Sequence, residues 1–560
     1  MTIRIIASIL LSLCAATAAA AQTVHPAIPD ARQVLAPPHG MTPAAPVTLP
    51  ALQQPAAAAA AHLHFHRVRI IGAHVLPDAA IAAAFAALKD RDIATADLKP
   101  ALDAVDGLYR AAGYPLGRAY VPAQRLVRGV LAVHVVEGHV GRIIVSADSP
   151  RLKARALRIA ARLLHETPLT TATLQRAMLL IQDLPGVTVA SRFQDMDMRT
   201  GATTLAIAIT HRAVTAAFTM DNRANLYSLP FAPYLTATLN DLPGIDRVSL
   251  TALLSPRQKD YAFYDLSLLR HIGDDGLSMT LDGSWAQLLD GRSLAPYAIR
   301  SRTAQLSYGL SYPLLLAADE TLATGAKLYF TRTAYNILGT TFARDAALAL
   351  QMGGDYARSI GGDAGLAASL YVTRGLAGFG GGPHTRPAAA ADFTRLRGAL
   401  RLAWQPARNL TLILRSMGQY ASAPLYASEE IAFGGLDYGR GFDAAEISGD
   451  SGAGVSFQPE YRIPFDLGGS GLAKGWSVTP YIFGDYAKVW NRQGDHLPDG
   501  ELVSAGGGAR LGISDLMTVT LEAARPLNRT PLYRHDRAAR LYAGIELGLG
   551  RALSLIGESR

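Results

Sequence analysis

Few residues in this chain have the types and spacing to do chemistry, and one group stands out. Residues 433–450, FGGLDYGRGFDAAEISGD, set a single cation, Arg440, between Gly439 and Gly441 and follow it with Phe442. A guanidinium is a planar fork of donors that matches a carboxylate or a phosphate. Glycines on both sides let the backbone turn sharply and pass close to another surface. This is the chemistry of holding, not of bond-making. Taken alone, the same residues also describe a surface loop with a solvated arginine.

The other candidates carry less. His62, His64 and His66 recur at every second residue, which on a strand would put three imidazoles on one face. No neighbouring carboxylate or cysteine completes a metal set, and a solvent-facing strand edge accounts for them. Asp195-Met196-Asp197 fits a hairpin better than a metal pair. The glycine runs 380–382 and 506–508 lack the strand-to-helix context of a phosphate loop. No serine sits in a nucleophile elbow and no HExxH occurs. The expectation is a protein that is not an enzyme and needs no cofactor or metal.

The elements that would position Arg440 show in the periodicity. From residue 213 to 560 the hydrophobic period is two: Leu396, Gly398, Leu400, Leu402 and Trp404 alternate with Arg397, Ala399, Arg401, Ala403 and Gln405. Turn signals recur at Gly273-Asp274-Asp275-Gly276, Ala317-Ala318-Asp319-Glu320 and Gly361-Gly362-Asp363. A barrel with a wet lumen and a lipid-facing outside requires this alternation. At roughly 20–22 residues per strand with its connection, this half of the chain supports about 16 strands. Tyr234, Tyr261, Tyr264, Trp285, Tyr329, Trp404, Tyr481 and Trp490 are candidates for aromatic girdles at the membrane interfaces.

Composition agrees. The 560 residues are too many for one ordinary core. Charged residues are 18%, below the level of about a quarter usual for soluble domains. After the first 21 residues no uninterrupted apolar run reaches 18, which argues against a bundle of membrane helices. With 52 glycines and 22 tyrosines, the remaining options are a large soluble β protein or a transmembrane β-barrel. The formal charge of +8 is dispersed, so no nucleic-acid partner is expected.

Residues 1–21 read as a secretory signal peptide: Arg4, an apolar core from Ile5 to Leu13, then Ala19-Ala20-Ala21. The only cysteine, Cys14, lies inside it, so the mature chain has no thiol chemistry. Residues 22–61 are rich in proline and alanine and read as a tether. Two strand-helix-helix-strand-strand units follow, at 62–138 and 139–212, repeating an architecture rather than a sequence. In the first, Thr95 and Asp97 open a helix with Leu98, Leu102, Val105, Leu108 and Tyr109 on one face.

Here a resemblance becomes visible. Tyr120-Val121-Pro122-Ala123-Gln124, Glu137-Gly138 and Asp183-Leu184-Pro185-Gly186-Val187 resemble the paired POTRA domains of two-partner secretion transporters, the TpsB type, also called haemolysin secretion/activation proteins. Gly439-Arg440-Gly441-Phe442 resembles that family's loop tetrad, with Gly439 where a valine is usual, and Pro480-Tyr481-Ile482-Phe483-Gly484-Asp485 resembles its Phe-x-Asp strand motif. The resemblance implies that the loop folds back into the lumen and that Arg440 pairs there with Asp485, with Phe483 in the wall motif. Thr219 to Arg223 resembles the start of the family's barrel, and Ser504 to Leu511 its last strands.

The implied architecture is two α+β POTRA domains (62–138 and 139–212) followed by an all-β part, a transmembrane barrel over 213–560 with its lumen loop at 433–450. The implied function is export, and activation, of a large TpsA-like exoprotein through the outer membrane. The POTRA domains would bind the unfolded substrate in the periplasm. Further partners would be outer-membrane lipid and the barrel-assembly machinery that inserts the chain. The prolines of 22–61 argue against the plug helix common in the family, and no aromatic residue ends the chain. Two other readings remain at this point: a barrel-assembly factor, which usually carries more soluble repeats, and a passive porin, which would not need residues 64–212.

Overall fold

The computed structural model describes residues 62–223, 231–255, 261–289, 298–378, 384–468, 474–492, 499–514, 516–532 and 536–548. The expected signal peptide and tether, the 380–382 glycine run and the chain end lie outside the described residues. The fold divides near His211 into two compact units, an α/β part and a barrel.

The first module contains β1 (His62–His64), β2 (Arg67–Ile71), α1 (Asp78–Ala83), β3 (Asp92–Ala94), α2 (Lys99–Ala111), β4 (Gly117–Tyr120) and β5 (Val130–Glu137). Its sheet runs β2-β5-β4, with β2 parallel to β5 and β4 antiparallel, while β1 and β3 pair apart from it. A single turn of 3-10 helix leads into α2, and Asp97 caps the entrance by accepting the Ala94 N–H at 2.8 Å. Leu98, Leu102, Val105 and Tyr109 are buried against Phe65, Leu131 and Val133. Leu108 instead faces solvent, because position 108 falls at the margin of that stripe on a 3.6-residue period. Gln124 accounts for the Tyr120–Gln124 motif. Its amide donates to the Ala132 carbonyl at 2.8 Å and accepts the Ala132 N–H at 2.9 Å, replacing a strand partner where β4 has ended.

The second module repeats the plan with β6 (His139–Ala147), α3 (Pro150–Ala160), α4 (Thr171–Gln182), β7 (Val187–Gln194) and β8 (Ala202–His211), in sheet order β6-β8-β7. Ser149 and Thr170 cap the two helices through their hydroxyls. Asp197 accepts from the Arg199 N–H and the Thr200 hydroxyl, both at 2.8 Å, and so shapes the β7–β8 turn. The three histidines do not share a strand face: β1 ends at His64, which sits 3.2 Å from Asp92, and His66 lies beyond it.

Glu137 ties the first module together. Its carboxylate accepts from the N–H groups of His74 and Val75 at 2.7 and 2.8 Å and from the Tyr109 hydroxyl at 2.8 Å. Burial opposes its charge, but these donors outweigh burial and hold its pKa below the ordinary 4.5. Since the folded pKa is the lower one, its stabilisation is full above the ordinary value and is lost as pH falls through the folded value. Glu137→Gln should therefore cost the module about 1–2 kcal/mol near neutrality and flatten its loss of stability below pH 4.5. Protease protection of the α/β region across that pH range measures both.

The barrel is built from β9 (Val214–Asp221), β10 (Ala232–Leu242), β11 (Ile245–Leu253), β12 (Tyr261–Ile272), β13 (Leu277–Leu289), β14 (Arg300–Leu316), β15 (Glu320–Ile337), β16 (Thr340–Ile360), β17 (Ala364–Gly378), β18 (Thr394–Ala407) and β19 (Leu410–Ala421). A loop holding the short hairpin β20 (Ile431–Phe433) and β21 (Ile447–Gly449) intervenes. Then come β22 (Ser451–Tyr461), β23 (Ile463–Phe465), β24 (Trp476–Trp490), β25 (Gly500–Ile513), β26 (Met517–Pro526) and β27 (Arg540–Gly548). Each strand pairs with its neighbours and β27 returns to β9, closing the barrel and leaving no unpaired edge. β22 and β23 are one strand interrupted at Arg462, so the staves number sixteen.

The two-residue period sorts the side chains as a lipid-facing wall demands: on β18, Leu396, Leu400 and Trp404 are exposed while Arg395, Arg401 and Ala403 are buried. The aromatic candidates divide. Tyr264, Trp285, Trp404 and Trp490 face outward, with Tyr264 stacked on Trp285. Tyr261, Tyr329 and Tyr481 are buried on the lumen side, and Tyr234 packs edge-on against Phe263 there. A tyrosine suits either face, because its hydroxyl can bond to a polar lumen as well as to headgroups. No described helix is long and apolar enough to cross a membrane.

Candidate functional site

The loop between β19 and β22, residues 422–450, is folded into the barrel as a strap. The β20–β21 hairpin stiffens its neck, with Phe433 opposite Ile447. Phe433, Tyr438, Phe442 and Ile447 pack on Ala487, Val489 and Leu502 of the wall in one buried cluster.

Beyond that cluster Arg440 enters a seat made by β22, β24, β25 and β26. The alternation of these strands turns Ser456 and Gln458, Phe483 and Asp485, Ser504, and Glu522 inward. The Arg440 side chain donates to Asp485 through Nε at 3.1 Å and through a terminal nitrogen at 2.9 Å, a bidentate pair. Its backbone N–H also donates to Asp485, at 3.0 Å. The remaining donors reach Gln458 Oε1 at 2.8 Å and Ser456 Oγ at 3.1 Å, and Glu522 lies 3.6 Å away. The guanidinium lies over the Phe483 ring, 3.3 Å from its centre. Ser504 donates to the Asp485 carboxylate at 3.1 Å. The pair is shut off from solvent, with 3% of the Arg440 side chain exposed and 0% of Asp485.

Both flanking glycines are required by geometry. Gly439 has φ +78°, the left-handed region, and a Cβ there would stand 3.0 Å from Leu502. That accounts for the glycine at this position. Gly441 approaches the wall so closely that a Cβ would meet the Arg525 and Pro526 backbone at 2.6 Å. Gly506 lies opposite Phe483 on β25, where a side chain would collide with that ring.

The strap has further anchors that reading the sequence did not find. Glu429 accepts from Arg395 at 2.6 Å and from the Tyr329 hydroxyl at 2.9 Å. Arg386, buried, donates to both Glu430 and Asp450 at 2.6 Å. Asp443 accepts from Arg540 at 2.9 Å, and Glu446 from the Leu532 N–H at 2.6 Å. Asp437 lies 3.9 Å from Arg415. The available signal was charge: residues 422–450 hold six carboxylates against one cation, while inward positions of β18 hold arginines.

Comparison with known proteins bears on the family and the fold. Residues 280–511, which include Arg440, Phe483 and Asp485, match the family model described as haemolysin secretion/activation protein ShlB/FhaC/HecB, and residues 63–138 match the ShlB-type POTRA domain. CdiB from Escherichia coli is similar in fold, with TM-score 0.66 and 17% identity over 91% of this chain and 94% of that one. CdiB from Acinetobacter baumannii gives 0.60 and 15% over 90% and 94%. BamA from Haemophilus ducreyi lacking POTRA domains 1–3 gives 0.52 and 14% over 87% and 100%. No curated protein matches the chain by sequence. The family-model match, on a POTRA-bearing chain with a closed sixteen-strand barrel, marks an outer-membrane transporter of the two-partner secretion type, with its barrel in the outer membrane and its POTRA part in the periplasm. Two stretches of the chain thus match models of the haemolysin secretion/activation protein family, whose members are transporters rather than enzymes.

Gly439→Val should force a β-branched residue into the left-handed region, at a cost of about 1–3 kcal/mol, and press it on Leu502. The barrel should still fold, seen as a heat-modifiable band, while the strap becomes cleavable by protease in the folded protein. A strap as protected as in the parent would contradict this account of Gly439.

Proposed function

We propose that this transporter exports a large unfolded partner protein from periplasm to cell surface, and that the strap closes the lumen until the Arg440–Asp485 pair is broken. The observation that carries the reading is the buried, bidentate pair between a mobile type of element, a loop, and a fixed one, a barrel strand. Removing one member of such a pair strands a charge, at a cost of about 3–5 kcal/mol. Such a gate is tight at rest and still breakable by a chain that binds in its place.

The POTRA modules are proposed to receive the substrate. The outer strands of each sheet, β2 and β4 in the first and β6 and β7 in the second, pair on one side among the described strands. An extended chain can add to such an edge through backbone hydrogen bonds, which suits a partner read without strict sequence demands. Folding of the cargo outside the cell would supply the direction, and activation of the cargo would accompany its release. Insertion of the chain itself would use the barrel-assembly machinery.

Secretion of the cognate exoprotein measures the proposal. Arg440→Ala and Asp485→Ala should each lower export severalfold and raise the basal conductance of the purified protein in planar bilayers. The double variant should be no worse than either single one, since both break one unit. Normal export by both single variants would remove the pair from the gate. Deleting residues 64–212 should abolish export yet leave a conducting barrel; a barrel that still exports would refute substrate capture by the modules.

A further inference from the structure

Most ion pairs of the strap set its carboxylates against arginines of the barrel and its loops. On β18, Arg395, Arg397 and Arg401 face the lumen at alternate positions, broken by Ala399. On β19, Arg415 stands directly opposite Arg401 in the strand register. Like charges set opposite each other on neighbouring strands repel, and a narrow lumen concentrates their field. The strap answers this field with carboxylates: Glu429 on Arg395 and Asp437 near Arg415. Arg386 and Arg540 hold three more, Glu430, Asp450 and Asp443. Arg397 donates at 2.9 Å to a neutral acceptor, Gln419 Oε1.

We propose that this arginine-lined face is a binding track for acidic segments of the exported chain, and that the strap occupies it as an internal stand-in. The inference rests on the transporter reading given above. When the strap leaves, arginines that had anionic partners lose them, and each unpaired charge in a shielded lumen raises the cost of the open state. A passing segment with carboxylates restores those pairs and lowers that cost. A neutral or basic segment does not. The track therefore selects for acidic stretches at the step where the lumen opens, and the exported chain helps to displace the strap by taking its place.

The test uses the full-length protein with Asp485→Ala, in which the strap is released, in planar bilayers. Two synthetic probes of equal length are added on the periplasmic side: a Gly/Ser peptide with aspartates and one with lysines at the same positions. The pore should prefer anions in a salt gradient, and the acidic peptide should block it at a concentration at least tenfold below the basic one. Adding Arg397→Gln and Arg401→Gln should shrink that ratio to threefold or less; a heat-modifiable band and an unchanged open conductance show that these variants have folded. Equal block by both peptides, preference for the basic one, or a ratio unaffected by the glutamines would overturn the track. Export is measured in parallel with the cognate exoprotein. Normal export without charge preference refutes the track and leaves the transporter standing, whereas a parent protein that exports nothing refutes the transporter reading itself.

Discussion

A guanidinium and a carboxylate removed from water must find each other, and much of the barrel's local sequence follows from that constraint. Arg440 and Asp485 are both buried, so each depends on the other and on neutral partners for what remains. Asp485 has four donors: two from the Arg440 side chain, its backbone N–H and the Ser504 hydroxyl. Arg440 spends its other donors on Gln458 and Ser456. The Phe483 ring covers one face of the guanidinium, and a glycine at 506 leaves that ring its room. A neutral residue at Arg440 or Asp485, or a smaller one at Ser456, Gln458, Phe483 or Ser504, leaves a buried polar group short of a partner or a gap beside the ring.

Such a seat can be built only where several strands present side chains to one point at fixed register. The closed barrel does this. A one-residue slip of any stave would turn its lumen residues to lipid and its lipid residues inward. The exposed Leu396, Leu400 and Trp404 resist that slip on one face and the buried arginines of the same strand resist it on the other. The lipid-facing pattern and the Arg440 seat are thus one constraint seen from two sides of the wall.

The barrel's strand number, and the helices and main-sheet strands of both α/β modules, were legible, because they rest on local signals: a period of two, helix caps, turn residues; the short β3 between the first module's helices was not. The sidedness of the tyrosines was not, because alternation says that residues share a face without saying which face, and a tyrosine is content on either. The short reach of β1, which leaves His66 outside the strand, was hidden because it depends on where β3 stops pairing. The strap's other anchors escaped because their partners are distant in the chain: Asp443 and Arg540 are 97 residues apart, Glu430 and Arg386 44. Charge composition alone could have said that an acidic loop needs a basic host, but not which arginines turn inward at the height of the loop.

The single reversed charge has a consequence for specificity. A strap of carboxylates alone would be attracted to an arginine-rich wall in more than one register, since each shift trades one arginine for another. Arg440 removes that freedom. Its seat is lined by Asp485 and Glu522, and sliding the strap along the wall would carry this cation toward Arg415 on one side or Arg540 on the other, where it is repelled. Attraction between the many opposite charges supplies holding strength, and the one inverted pair supplies position, because specificity is a difference between the right arrangement and the wrong ones. A strap held this way can be bound strongly without being bound irreversibly: a competitor needs only to satisfy the arginines, whereas the strap, to return, must bring its one cation back to the seat at Asp485.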